Sequence, residues 1–312
     1  MIPKIAIKVV GVGGAGGNAI DRMVQCKVAG VELLAVNTDA QDLKKIQAHK
    51  KIQIGRESTR GLGAGMNPEV GKKAALESKE ELLRALEGAD LVFVAAGLGG
   101  GTGGGAVPVI AEIAKGQGSL VIAVVTTPFS FEGAWRLRLA HASLGELKGK
   151  VDTLLSIPND QILKITGPDT TVSAAFWKAD EVLREAVQGI SDLIALPGIV
   201  NVDFADLRGL MKNAGQAVFG VGYGKGDKRM DNALNSAFHS PLLTSSLKGA
   251  KGVLFNIAGS QDLSLEEVQG VAQKIKQEVS PNARIIFGAA YDKSLKQGEV
   301  KLTVIATGFD QE

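Results

Sequence analysis

The chain has little of what most redox and metal chemistry requires. Its 312 residues include one cysteine, Cys26, and three histidines, His49, His141 and His239, far apart in the sequence. A lone cysteine excludes an internal disulfide and leaves a thiolate metal site without ligands, and scattered histidines do the same for a zinc cluster. Aromatic residues make up only 4%, too few for platforms on which successive bases stack. No apolar run approaches the roughly 20 residues that cross a bilayer, and residues 1–5 lead into a strand without a secretory-signal layout. Neither charge sign dominates: 35 Lys and Arg against 33 Asp and Glu give +2, so no global field calls for nucleic acid or an anionic membrane. These shortages lead us to expect a cytoplasmic globular protein with no nucleic-acid partner, no direct membrane insertion and no protein-built metal site.

What the chain has in quantity is glycine, 40 residues, packed most densely in two loops. The segment Gly97-Leu98-Gly99-Gly100-Gly101-Thr102-Gly103-Gly104-Gly105 carries seven glycines in nine positions, directly after the apolar run Leu91-Val92-Phe93-Val94-Ala95-Ala96. Residues 106–114 then follow a helical pattern. A strand, a glycine loop with one hydroxyl and a helix N-terminus make a phosphate cradle: without Cβ atoms the backbone N–H groups can approach a polyanion, and the helix dipole favours its charge. A flexible linker fits poorly between two such apolar elements. The other loop, Gly11-Val12-Gly13-Gly14-Ala15-Gly16-Gly17-Asn18, has the G-x-G-x-x-G spacing of dinucleotide sites. Alone it is weak evidence, and Asp39 could then serve as the ribose acid of an NAD-dependent oxidoreductase. That alternative leaves the loop at 97–105 unexplained, whereas two loops from adjacent strands would wrap one triphosphate from two sides.

Patterning predicts the fold class. Apolar strands over 5–12, 31–36, 91–96, 120–125 and 151–157 alternate with helical stretches, including 18–25 and one helix from Pro68 to Leu86 stopped by Gly88. Near-continuous hydrophobic strands between helices indicate an α/β, doubly wound parallel sheet covered on both faces. A long helix is expected over 171–196, ended by Pro197-Gly198. Strands at 217–222, 253–257, 284–290 and 300–307, with helices at 231–238 and 264–279 (Ser264 as cap), then imply a smaller α/β domain with a mixed sheet. The division expected is a nucleotide-binding domain over 1–170, a linking helix over 171–197 and a C-terminal domain over 198–312.

With its neighbouring blocks, the double loop resembles the tubulin/FtsZ family of GTPases, and within it the bacterial cell-division branch. The family signature GGGTG, then Ser or Thr, then Gly, is met by residues 99–105 except at Gly104. The resemblance runs nearly end to end through Ala35-Val36-Asn37-Thr38-Asp39-Ala40-Gln41, Gly61-Leu62-Gly63-Ala64-Gly65, Pro128-Phe129-Ser130-Phe131-Glu132-Gly133, Ile157-Pro158-Asn159-Asp160 and Asn201-Val202-Asp203-Phe204-Ala205-Asp206. It implies GTP or GDP as ligand, with Mg²⁺ bound mainly through the phosphates. Gly13, Gly14, Ala15, Gly16, Gly17 and Asn18 would hold the α- and β-phosphates, and Gly100, Gly101, Thr102, Gly103 and Gly104 the β/γ end.

The resemblance also assigns Glu132 to ribose and Arg136 to phosphate, though by themselves they would be an i,i+4 surface pair. Phe176 would stack on the base. Asp180, an acceptor-only carboxylate, suits guanine's N1–H and N2–H₂ donors and would repel adenine's N1. Asp203, Asp206 and Asn201 would position a water at the γ-phosphate of the next subunit in a head-to-tail homopolymer; alone the two acids would pass for an N-cap and a first-turn acid. It further implies division-ring and membrane-anchor proteins as partners, engaged through a C-terminal tail that this sequence, ending at Glu312, does not include. Gly104, Ala15, Trp135 and Trp177 depart from the pattern. Gly104 keeps open a filament protein that binds GTP and hydrolyses it little.

Overall fold

The computed structural model describes residues 5–164, 166–167, 169–195, 199–200, 202–240, 243, 247–292 and 295–309. The chain divides into two compact units, residues 1–191 and 192–312.

In the first unit, strands β1 (Ile7–Val12), β2 (Val31–Asn37), β3 (Lys50–Gln53), β4 (Leu91–Gly97), β5 (Leu120–Thr127) and β6 (Thr153–Pro158) form one parallel sheet in the order β3-β2-β1-β4-β5-β6. Its helices are α1 (Gly13–Gln25), α2 (Ala40–Lys45), α3 (Arg56–Thr59), α4 (Pro68–Glu77), α5 (Lys79–Leu86), α6 (Gly101–Gly116), α7 (Ala134–Leu147) and α8 (Asn159–Leu163). The long helix α9 (Val172–Ala195) follows, and the expected stop at Pro197-Gly198 lies outside the described residues. All of β5 is buried and β4 nearly so, as both-face burial requires. Val10, Val12, Leu34, Val92, Val94 and Ile110 belong to the core on one face of the sheet.

Two helices begin earlier than the sequence pattern suggests. α1 starts at Gly13 rather than Asn18, and α6 at Gly101 rather than Ala106, so each glycine loop is largely the first turn of a helix. Glycine's poor helix propensity conceals both starts, and tertiary packing overrides it. The expected helix over 68–86 is two, α4 and α5. At the break Ser78 Oγ accepts from Gly55 N at 3.1 Å, and the Glu77 carboxylate accepts from Glu57 N at 2.9 Å and Ser58 N at 3.1 Å. These bonds tie the break to residues 55–58, while Ser78 itself leaves helical geometry at φ −99° and ψ 18°.

The second unit holds α10 (Phe204–Met211), β7 (Gly215–Lys225), α11 (Arg229–Phe238), β8 (Gly252–Gly259), α12 (Leu265–Glu278), β9 (Arg284–Tyr291) and β10 (Glu299–Thr307). Its sheet is mixed: β10 runs antiparallel between β7 and β8, and β9 adds parallel to β8. Ser264 caps α12 in a capping box with Glu267. Val253, Phe255, Ile257, Val271, Ile275 and Val304 form its core.

Candidate nucleotide site

The order of the parallel sheet reverses between β1 and β4, which is where ligands bind in open α/β sheets, beyond the carboxyl ends of the strands. α1 leaves β1 there and α6 leaves β4. Both start without a side-chain cap and without an acidic residue in the first turn. By contrast Asp39, Asn67, Asp203 and Ser264 cap α2, α4, α10 and α12. α-Helix geometry leaves the N–H groups of Gly13, Gly14 and Ala15, and of Gly101, Thr102 and Gly103, without intrahelical acceptors. The two N-termini adjoin: Gly13, at φ +73°, has so little room that an added Cβ would lie 3.3 Å from Gly103 N. Two positive helix ends side by side, with six free donors and no acid in either first turn, make a site for a polyanion; the nearest carboxylate on the α1 side is Asp42, whose Oδ2 would lie 3.7 Å from a Cβ on Gly14.

Packing constrains several glycines of the loops, Gly103 among them. A Cβ on Gly16 would stand 2.4 Å from Ala95 O, one on Gly103 2.5 Å from Gly97 O, and one on Gly105 1.9 Å from Pro68 O. The N–H groups of Gly16, Gly17 and Asn18 fall within α1, and Gly104 N donates to Gly100 O at 3.3 Å. Gly100 faces open space. A side chain at Gly104 would point at Ser143 Oγ, 2.5 Å from its Cβ, so the hydroxyl missing there belongs to the α6–α7 packing. The Ala15 methyl is accommodated by Gly97, where a second Cβ would sit at 2.8 Å.

Thr102 Oγ1 hydrogen-bonds Thr38 Oγ1 at 2.6 Å, which fixes the one hydroxyl of the second loop from β2's end. Asp39, the ribose acid of the dinucleotide alternative, accepts instead from Gln41 N and Asp42 N as the cap of α2. Arg136 stands in the first turn of α7, its carbonyl 2.8 Å from where a Cβ on Gly99 would be. Glu132 ends a 3₁₀ turn (Ser130–Glu132); it accepts from Phe129 N at 2.9 Å and pairs with Arg136 Nη1 at 2.5 Å.

Phe176 on α9 is partly exposed and meets Phe129 edge-on at 5.2 Å and Phe131 at 6.4 Å between ring centroids. One turn later Asp180 is 7% exposed, not the solvated acid that its sequence position alone would suggest. Burial pushes its carboxyl up to about 6, against the pull of the Arg22 guanidinium and of the nearby Asn18 side chain. Arg22 reaches it at 3.7 Å and also lies over the Trp177 ring, 4.6 Å from the centroid. The side chain of Asn18 thus faces Asp180.

Sequence reasoning assigned no role to Arg22, Thr38 or Asn159. Asn159 is buried with Oδ1 lacking a hydrogen-bond partner, beside Asp160, whose carboxylate accepts from Ser130 N at 2.9 Å. A buried acceptor without a donor is costly, and it fits a ligand donor arriving at the end of β6. Its only sequence signal was membership of the block at 157–160. Among the described residues no cluster of three or more His, Cys, Asp or Glu could hold a metal, and no helix is long and apolar enough to cross a membrane.

Of the acidic pair in the second unit, Asp203 Oδ1 caps α10 by accepting from Ala205 N at 3.0 Å. Asp206, one turn on, is exposed and paired with Arg284. Asn201 lies outside the described residues.

Residues 6–167 match the Tubulin/FtsZ family GTPase domain, and residues 215–310 match the FtsZ family C-terminal domain. FtsZ from M. jannaschii, solved as an empty dimer, is 45% identical over 98% of this chain and 89% of its own, with a TM-score of 0.95. CetZ2 from Haloferax volcanii, solved as a GTPγS-bound protofilament, shares the fold at a TM-score of 0.81 and 23% identity, over 99% of this chain and 94% of its own. A glycine-rich double N-terminus at the switch point, followed by a mixed-sheet second unit, is therefore the arrangement of a known group: the chain belongs to the tubulin/FtsZ family of GTPases.

Proposed function

We propose that this protein binds GTP at the β1/β4 switch point, polymerises head to tail and hydrolyses the nucleotide at a site completed by the next subunit, as the scaffold of a division ring. The observation that carries this is the pair of uncapped helix N-termini, neither with an acid in its own first turn, meeting at Gly13 and Gly103. In this reading Gly13, Gly14 and Ala15 donate to the α- and β-phosphates. Gly101, Thr102 and Gly103 donate at the β/γ end, with the Thr102 hydroxyl held by Thr38. Gly16, Gly17, Gly100 and Gly104 shape the loops, and Gly104 contributes no side chain in any case.

Glu132 exchanges its bond with Arg136 for the ribose hydroxyls, freeing the guanidinium for phosphate. Phe176 covers the base. Asp180, ionised at neutral pH, accepts from guanine N1–H and N2–H₂, while Asn159 supplies a further acceptor. Mg²⁺, bound mainly through the phosphates, would offset their charge. Asp203 and Asp206 of one copy, with Asn201, orient a water at the γ-phosphate held by its neighbour, so catalysis is mainly positioning and electrostatics. Filament ends set the partner surfaces, and anchor proteins complete the ring.

The test is GTP turnover against protein concentration, with Mg²⁺ present and light scattering recorded in parallel. Specific activity should rise above a critical concentration together with scattering. Turnover proportional to protein from the lowest concentrations would sink the shared site, and scattering without phosphate release would leave only a nucleotide-bound scaffold.

A further inference from the structure

Asp206 is exposed on the first turn of α10, where a carboxylate on a flexible side chain has several rotamers to choose from. One residue restricts that choice. Arg284 is the first residue of β9; its N–H donates to Lys251 O at 2.9 Å, and it pairs in parallel register with Gly252 on β8. Its Cα is thus rooted in the sheet rather than in a loop. From there the guanidinium reaches α10, where Nη2 donates to Asp206 Oδ1.

The same guanidinium lies against the helix backbone one turn beyond Asp206. A Cβ on Gly209 would fall 2.8 Å from Arg284 Nη1 and 3.6 Å from Cζ, so only glycine there leaves the plane its place. Two contacts, a carboxylate at one edge and bare backbone along the side, orient the guanidinium. Among the described residues Asp206 Oδ2 has no such bond and is left to accept from another donor.

We infer that Arg284 is a positioning residue for hydrolysis: it holds Asp206 by Oδ1 in the rotamer that presents Oδ2 to the attacking water. This rests on the reading of Asp206 as a catalytic carboxylate. Both partners are about half exposed, at 52% and 55% of their side-chain areas. Solvent weakens such a pair, so its removal should lower kcat about fivefold, the upper end for exposed ion pairs, rather than abolish turnover.

The experiment compares wild type, Arg284→Ala, Arg284→Lys, Asp206→Ala and the Arg284→Ala/Asp206→Ala double variant, in GTP titrations above the critical concentration. Expected are a lower kcat for Arg284→Ala at unchanged KM and unchanged critical concentration, and partial recovery with Lys. On the residual turnover of Asp206→Ala, the second substitution should have no effect. Unchanged kcat in Arg284→Ala, the same factor with and without Asp206, or a shifted critical concentration at normal kcat would each overturn the positioning role while leaving the Asp206 assignment intact. Normal turnover in Asp206→Ala would instead overturn the assignment, and the inference with it.

Discussion

Asp180 shows how one residue changes character between chain and fold. In sequence it is an acid near a helix start; in the structure it is buried against Arg22, Asn18 and the Arg22–Trp177 stack. Its native pKa of about 6 lies above the ordinary 3.8, so the native state binds more protons between those values, and folding stability contributed by this group falls as pH rises through that window. The proposed guanine contact has the opposite sign, because the N1–H and N2–H₂ donors need the ionised carboxylate. GTP affinity should therefore hold at neutral pH and fall toward tenfold per unit once pH drops below about 6. The γ-phosphate titrates nearby, so the measurement is the difference from Asp180→Asn, which keeps one carbonyl acceptor and has no proton to gain. Parallel pH profiles for the two proteins would remove Asp180 from the base site.

At the scale of elements, close helix packing accounts for many glycines of the two loops, including Gly101 and Gly103, whose N–H groups are also proposed to face the ligand. α6 enters between β4 and α4, and Gly101, Gly103 and Gly105 each abut backbone. Gly105→Ala would force a methyl to 1.9 Å from Pro68 O, and should destabilise the first unit by about 3 kcal/mol or more, as overpacking against immovable backbone does. Gly100→Ala, in extended backbone at φ −100° with nothing within 4 Å, should stay within about 0.5 kcal/mol. Urea melts of the two variants check this; equal losses would mean that packing does not distinguish the glycines. The count of glycines in the sequence points to a phosphate cradle, but most of that count answers to helix packing.

The apolar strands were legible because both-face burial writes continuous hydrophobic runs, and α9 because its burial is periodic. The short β3, Lys-Lys-Ile-Gln, was not, since an edge strand with one buried residue carries no pattern.

For the whole molecule, the proposed chemistry separates the parts: the cradle belongs to the first unit and the acids to the second. A subunit lacking one part should then be served by a neighbour that has it. Asp206→Ala retains its cradle, and Asp180→Ala retains its acids. Mixed above the critical concentration, the two should turn over GTP faster than the sum of each alone, because mixed contacts join an intact cradle to intact acids. A strictly additive rate would argue that each subunit works by itself.

What the sequence determined alone was the class of fold and the family, because hydrophobic period and glycine spacing are properties of local chain. Only the tertiary structure decided which N–H groups remain free, that the side chain missing at Gly104 belongs to α6–α7 packing, that Arg22 lies against Asp180, that Asn159 Oδ1 is buried without a donor, and that Arg284 reaches Asp206. Those are relations between residues tens of positions apart, set by how strands register and helices pack, and nothing in local patterning encodes them.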